Sequence, residues 1–233
     1  MDQRQQDLLN IIVNQYTKTA QPVGSKLIAE ISDFNLSPAT IRNDMAELET
    51  GGYIFQPHTS AGRVPTEKGY QFYVSNFLKD LELSKKRQQF LAKIIKPFGK
   101  YQPELMKNLA RGIADLSAGT VFIGFAKNNV YYTGLSNLFA QPEFAQHDLV
   151  RNLSQIIDHL DQTIEDIFSQ LVSNEVKILI GRQNPFGRDC SSILAKYKIS
   201  NQPGLIGVLG PIRMDYQNNF SLIKYTQDLI NKF

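Results

Sequence analysis

The chain has 233 residues, of which 42% are hydrophobic and 20% are charged, and a formal net charge of +3. This length and composition favour a soluble globular protein of two domains. The polar start Met1-Asp2-Gln3 predicts no secretory leader. No apolar run approaches the roughly 18 residues that a membrane helix needs. The single cysteine, Cys190, excludes an internal disulfide, which agrees with a cytoplasmic protein. The three histidines lack the spacing of zinc ligands, so we expect no metal. We also expect no cofactor and no membrane partner.

The first 35 residues predict two helices. A helical pattern runs from Gln3 to about Thr19, and the residues 21–24, "QPVG", end it. Its apolar side holds Leu8, Leu9, Ile12, Val13 and Tyr16. Ser25 is then expected to cap a second helix through Ile31 that buries Leu27, Ile28 and Ile31.

A third helix is predicted from Ser37 as the N-cap, with Pro38 at the first helical position, to the glycines 51–52. At 100° per residue, Met45 and Leu48 fall within about 40° of Ile41, which defines a core-facing stripe.

The opposite side of this helix offers polar and small side chains: Thr40, Arg42, Asn43 and Ala46. Arg42 and Asn43 carry planar groups that can pair bidentately with guanine and adenine edges. Ala46 is small enough for the helix axis to approach the floor of a major groove. The pattern predicts the recognition helix of a helix-turn-helix.

The segments "YIFQP" and "RVPT" predict two short strands around the loop "HTSAG", which matches a wing. Thr59 and Ser60 can meet phosphate, and His58 can either orient the loop or touch DNA. Gly62 permits close approach, and Arg63 can pair with a phosphate or enter the minor groove.

Thr66 is expected to cap a fourth helix that runs to about Lys79 and buries Tyr70, Tyr73, Val74 and Phe77. Lys26 on the second helix and Lys68 on the fourth could add phosphate contacts. The complete predicted DNA-binding set is Lys26, Ser37, Thr40, Arg42, Asn43, Ala46, His58, Thr59, Ser60, Gly62, Arg63 and Lys68. The competing interpretation is a protein-docking module whose Thr/Arg/Asn face merely keeps it soluble.

Positive charge is concentrated beyond this region. Residues 1–80 hold seven basic and nine acidic residues, residues 81–111 hold eight and two, and residues 112–233 hold ten and eleven. Bulk charge therefore does not mark the N-terminal region as a nucleic-acid binder. The basic segment, helical with a break at Pro97, is either a solvated linker or an extra phosphate track.

The C-terminal half predicts an α+β domain. Five strands are expected at 119–126, 129–134, 176–181, 191–197 and 204–210, with helices from about His147 to Leu171 and from Tyr216 to Phe233. No base accompanies Cys190, and the glycines of "GLIGVLGP" lack phosphate-binding spacing, so we expect no enzyme. In "GPIRMDY", Arg213 and Asp215 are candidates for a pair.

The segments "PVGSK", "LSPATIRNDMAELE" and "QPHTSAGRVPTEKGYQFYV" closely resemble the N-terminal winged helix of the HrcA repressor family. "NLFAQPEF", "VKILIGRQN", "CSSILAKYKI" and "GVLGPIRMDY" resemble that family's GAF-like C-terminal domain. The resemblance implies a winged helix-turn-helix domain at 1–80, a linker at 81–111 and a GAF-like α+β domain at 112–233.

The resemblance also implies a dimeric repressor of chaperone operons that binds the inverted-repeat operator CIRCE on double-stranded DNA. It implies release on heat stress and a partnership with the GroEL chaperonin. Because GAF-like domains often bind small molecules, a ligand-sensing regulator is the main alternative.

The chain departs from the family in its length. Only Lys127 and Asn128 connect the strands 119–126 and 129–134, where relatives carry an inserted dimerisation domain. A homodimer on an inverted repeat is still expected. Its interface should then lie in the GAF-like domain or in the helices of 81–111.

Overall fold

The computed structural model describes residues 1–96, 103–126, 129–145, 160–172, 175–199 and 202–232. The chain divides into two compact units, Met1–Lys79 and Asp80–Phe233. The predicted break at Pro97, the connection at 127–128 and the first part of the helix expected from His147 lie outside the described residues. Within the described ranges, no helix is long and apolar enough to cross a membrane.

The first unit is a winged helix, as predicted. Its elements are α1 (Gln3–Thr19), α2 (Ser25–Ile31), α3 (Pro38–Thr50), β1 (Ile54–Phe55), β2 (Val64–Pro65) and α4 (Glu67–Phe77). The apolar stripe of α1 packs against α3, α4 and β2. The side chains that fill this core are Leu8, Leu9, Ile12, Val13, Ile28, Ile41, Met45, Leu48, Ile54 and Tyr70.

Three details of α2 and α4 differ from expectation. Gly24, not Ser25, is the N-cap of α2, and no side chain caps that helix. Ile31 is 50% exposed because α2 has only two turns and Ile28 is its one fully buried apolar residue. Helix α4 begins as predicted, with Thr66 accepting from the Gly69 N–H at 3.1 Å, but it ends at Phe77.

The second unit contains five strands and five helices in its described residues. They are α5 (Lys85–Ile95), α6 (Pro103–Ser117), β3 (Thr120–Ala126), β4 (Asn129–Thr133), α7 (Leu135–Phe139), α8 (Leu160–Gln170), β5 (Val176–Ile180), β6 (Cys190–Ile199), β7 (Gln202–Pro211) and α9 (Tyr216–Ile230). Short 3-10 turns occupy Pro142–Ala145 and Gly181–Gln183. The predicted α+β class and all five predicted strands are confirmed.

The strands form one antiparallel sheet in the order β4-β3-β7-β6-β5. Phe122, Leu194 and Leu205 face a core on one side that is completed by α7, α8 and Phe186. Because successive strand residues point to opposite faces, the buried Val121 and Ile123 face the other side, where α6 and α9 pack.

The described parts of the basic segment belong to this second unit. Helix α5 packs on α6, and α6 packs on β3 and β4. Helix α6 buries Leu105, Met106, Leu109 and Ile113. The described residues of segment 81–111, expected as a linker, are therefore mostly helical and pack within the second unit.

Two expectations for the C-terminal half can be compared with its contacts. Arg213 pairs with Glu143 and donates to Gln141 at 2.7 Å, while Asp215 caps α9 by accepting from the Asn218 N–H at 3.1 Å. The structure thus gives Arg213 and Asp215 different roles.

Cys190 is buried, and burial, with the charge of Asp189 beside it, raises the pKa of the thiol to about 12. A thiol that stays protonated is a poor nucleophile, as expected for a structural cysteine.

Candidate DNA-binding interface

Helix α3 starts with the cap that its sequence predicts. The Ser37 hydroxyl accepts from the Thr40 N–H at 3.1 Å, and the two hydroxyls lie 3.0 Å apart. Pro38 occupies the first turn, where its missing N–H is not needed. The predicted contact residues Ser37 and Thr40 therefore also fix the first turn of the helix.

The two faces of α3 are separated as the helical wheel predicts. Ile41, Met45 and Leu48 are buried, whereas Arg42, Asn43 and Ala46 are exposed. A guanidinium and a carboxamide thus project from the early turns of a helix, beside a small residue. Side chains of this kind can hydrogen-bond to base edges in a major groove.

The buried side of α3 also carries a carboxylate that the sequence did not single out. Asp44 accepts from Arg4 Nη2 of α1 at 2.8 Å. The neighbouring Gln5 donates to Glu47. The start of α1 is therefore tied by polar contacts to two residues of α3, Asp44 and Glu47.

The end of α3 is held by Lys68, which sequence reasoning placed on phosphate. Its Nζ donates to the Gly51 carbonyl at 2.7 Å and lies 4.3 Å from the centroid of the Tyr53 ring. A cation at the carboxyl end of a helix interacts favourably with the helix dipole. Gly52 follows with φ of +74°, the left-handed region that favours glycine. Lys68 therefore has a structural role within the first unit.

The wing tip presents the predicted polar residues. His58, Thr59 and Ser60 are exposed, and the Ala61 N–H donates to the His58 carbonyl at 2.8 Å, which closes the turn. The Gln56 side chain donates to the carbonyls of Thr59 and Ala61 at 3.0 and 2.9 Å. The loop is thus braced from within.

The last residues of the wing loop, Gly62 and Arg63, are held by contacts within the first unit. Arg63 and Val23 exchange two backbone hydrogen bonds of 2.9 Å. A Cβ on Gly62 would lie 2.4 Å from the carbonyl carbon of Val23, so Gly62 is required by this approach of two backbones. The Arg63 guanidinium lies 2.9 Å from Glu49, and its side chain is only 15% exposed.

The predicted residues therefore fall into two groups. Those that the structure leaves exposed are Lys26, Ser37, Arg42, Asn43, Ala46, His58, Thr59, Ser60 and Lys68. The other three are partly covered, and each has a contact within the first unit: Thr40 with Ser37, Gly62 with the backbone of Val23, and Arg63 with Glu49. Contact of any of them with DNA stays a prediction.

Sequence reasoning missed four residues that organise this surface: Arg4, Asp44, Glu49 and Gln56. Each acts through a partner remote in sequence or through a loop, and nothing in a helical wheel distinguishes such a side chain from an ordinary surface residue. The one available signal was Asp44, which falls about 60° from Ile41 and hence at the edge of the core stripe.

Comparison with known proteins gives a consistent result over the chain. The family model described as "Winged helix-turn-helix transcription repressor, HrcA DNA-binding" matches residues 1–77, and "HrcA protein C terminal domain" matches residues 68–219. A relative from Carboxydothermus hydrogenoformans, "Heat-inducible transcription repressor HrcA", is 27% identical and aligns over 100% of this chain and 98% of its own. A relative of the same description from Brevibacillus brevis is 26% identical over 100% and 97%.

The Carboxydothermus alignment runs over 334 positions against the 233 residues of this chain, which leaves 101 positions of that relative without a counterpart here. Among solved structures, the "Crystal structure of a hypothetical protein at 2.2 A resolution" matches with a TM-score of 0.81 and 21% identity. It covers 100% of this chain and 98% of its own, and at that identity it supports the fold alone.

Proposed function

The chain belongs to the family of HrcA heat-inducible transcription repressors, and from this we propose that it represses heat-shock genes by placing α3 in the major groove of an operator. The observation that carries the proposal is the division of α3 into a buried apolar stripe and an outward face with Arg42 and Asn43. A repressor works on the chromosome, so we place the protein in the cytoplasm.

Base reading is assigned to two side chains. Arg42 can donate two hydrogen bonds to O6 and N7 of a guanine, and Asn43 can pair with N6 and N7 of an adenine. Ala46 lets the helix approach closely. Lys26 on α2 and the hydroxyls of Thr59 and Ser60 in the wing can reach phosphates, which set register without reading sequence.

Repression is proposed to be steric and to need two copies of the chain. An inverted-repeat operator of the CIRCE kind presents two half-sites related by a two-fold axis, which a symmetric dimer matches with one α3 in each major groove. Because 101 positions of the Carboxydothermus relative have no counterpart here, we assign the dimer contact to the second unit, in the sheet domain or in α5 and α6.

Release on heat stress follows in this proposal from loss of the folded, DNA-competent dimer. Domains are stable by only about 5–15 kcal/mol, so a few degrees near the melting midpoint change the active fraction strongly. A chaperonin such as GroEL would raise that fraction by refolding, and its titration by other unfolded proteins would lower it.

Fluorescence anisotropy with a labelled CIRCE duplex tests the proposal, with a scrambled duplex of the same composition as the control. We expect operator affinity at least about 1,000-fold above that for the scrambled duplex. Light scattering on the same samples should show two chains per duplex. Equal affinity for both duplexes would leave a docking module as the better interpretation.

A further inference from the structure

The wing has little hydrogen bonding of its own to define its direction. Strands β1 and β2 pair through Ile54↔Pro65 and Phe55↔Val64, and one further backbone hydrogen bond, from the Thr66 N–H to the Tyr53 carbonyl at 3.0 Å, extends this short ladder. Pro65 has no N–H to donate. An isolated hairpin is marginally stable even when its ladder is longer than this one. The position of the loop 56–63 must therefore depend on contacts outside the strands.

Glu49, in the last turn of α3, supplies those contacts at both ends of the loop. Its Oε1 accepts from the backbone N–H of Gln56 at 2.9 Å. Its Oε2 forms an ion pair of 2.9 Å with Nη2 of Arg63. One side chain of the recognition helix thus holds the first and the last residue of the loop.

Gln56 extends this control to the tip. Its amide nitrogen donates to the carbonyls of Thr59 and Ala61, so both amide hydrogens have acceptors within the loop. Because its backbone N–H is fixed by Glu49, the brace of the tip is anchored to α3.

Arg63 is the contact of Glu49 at the carboxyl-terminal end of the loop. Its side chain is largely covered, and its backbone is held by Val23 through two hydrogen bonds. An ion pair with little solvent around one partner is screened less than a surface pair. The guanidinium also neutralises a carboxylate that would otherwise stand near the phosphates.

We propose that Glu49 is a positioning residue for operator binding: its carboxylate fixes the wing relative to Arg42 and Asn43, so that recognition helix and wing meet the duplex as one rigid body. This inference rests on the proposed function. Glu49 itself touches no DNA; it acts by keeping Thr59 and Ser60 where the phosphates will be, so that their ordering costs nothing at the moment of binding.

The test compares Glu49→Ala with Glu47→Ala in the full chain, on CIRCE and scrambled duplexes by anisotropy. Both variants remove one negative charge from α3, but Glu47 has no contact with the wing among the described residues. We expect Glu49→Ala to weaken CIRCE binding by about tenfold while scrambled binding changes less, and Glu47→Ala to change the ratio little. Glu49→Gln keeps an acceptor for Gln56 and should fall between the two; it also replaces Glu49→Ala if that variant does not fold.

A double-mutant cycle with Thr59→Ala/Ser60→Ala adds a readout that lost stability alone would not move. If Glu49 acts through the wing, the tip variant should lose little further affinity in the Glu49→Ala background. Additive losses, an unchanged CIRCE-to-scrambled ratio, or tighter binding by Glu49→Ala would each overturn the inference. A wild-type chain without preference for CIRCE would instead overturn the proposed function, so the two failures are distinguishable.

Discussion

Arg4 of α1 and Asp44 of α3 form an ion pair of 2.8 Å across the first unit, although they are 40 residues apart in the chain. The Asp44 side chain is only 6% exposed, whereas that of Arg4 is 48% exposed. The second carboxylate oxygen of Asp44 is buried without a partner among the residues that the structure describes. Arg4 is therefore the side chain that makes a charge on the inner side of the recognition helix tolerable.

Arg4→Ala should lower the free energy of unfolding by about 1–3 kcal/mol, because it leaves a buried carboxylate without its charged donor. Urea denaturation followed by circular dichroism measures this loss. Lys18→Ala removes a positive charge from the exposed end of the same helix and is the control, with an expected loss of about 0.5 kcal/mol. Equal losses in both variants would show that the Asp44 contact adds nothing.

Arg42→Ala should reduce affinity for the CIRCE duplex by about 1–3 kcal/mol and relax the preference at one base pair of each half-site. Lys26→Ala should instead weaken CIRCE and scrambled duplexes alike, and lower the slope of log K against log salt by about 0.9 for each phosphate lost. Anisotropy titrations over a set of single-base operator variants separate the two. A uniform loss for Arg42→Ala would reassign that residue to phosphate.

Gly62→Ala should destabilise the first unit by about 2–4 kcal/mol, because the new methyl group would force the wing away from Val23 and break the backbone bridge. Gly24→Ala is a matched control, since a Cβ there has nothing within 4 Å. We expect its cost to be about 0.5–1 kcal/mol, the difference between glycine and alanine as an N-cap. Thermal denaturation of both variants checks this, and a stable Gly62→Ala protein would contradict it.

Cys190 should resist alkylation by iodoacetamide in the native protein at pH 8 and react readily in urea. Burial raises the pKa of its thiol from the ordinary 9.0 to about 12, so folding favours the protonated form. Its contribution to stability is therefore complete below about pH 9 and is lost as pH rises toward about 12. Cys190→Ala should flatten that part of the stability profile. Rapid modification of the native thiol at pH 8 would contradict the burial argument.

Local rules predicted the parts of the molecule in which each residue acts through its neighbours in the chain. Ser37 and Pro38 start α3, glycines end it, and the spacing of Ile41, Met45 and Leu48 fixes its inner face. Richness in β-branched and aromatic residues marked all five strands of the sheet. The outward face of α3 already indicated DNA as the ligand, and the family resemblance then indicated which kind of operator it would be.

Long-range pairing was not accessible in the same way. The partners of Glu49 and Lys68 become evident only once the wing and α4 have folded back on the end of α3. A lysine on a helix near a predicted wing is typical of a phosphate contact. Only the tertiary structure shows that Lys68 donates to the Gly51 carbonyl at the end of α3. The basic run of segment 81–111 likewise concealed α6, an amphipathic helix whose apolar side packs on β3 and β4.

The bridge between Val23 and Arg63 bears on how genetic data for this protein should be interpreted. A random mutagenesis screen for cells that have lost repression would recover many substitutions in the "AGRVP" stretch. The Gly62 contact with Val23 indicates that several of these would be unfolded chains cleared by proteases, although the stretch looks like a contact motif. Immunoblots of steady-state protein level would sort them, leaving the genuine contact mutants among the abundant variants.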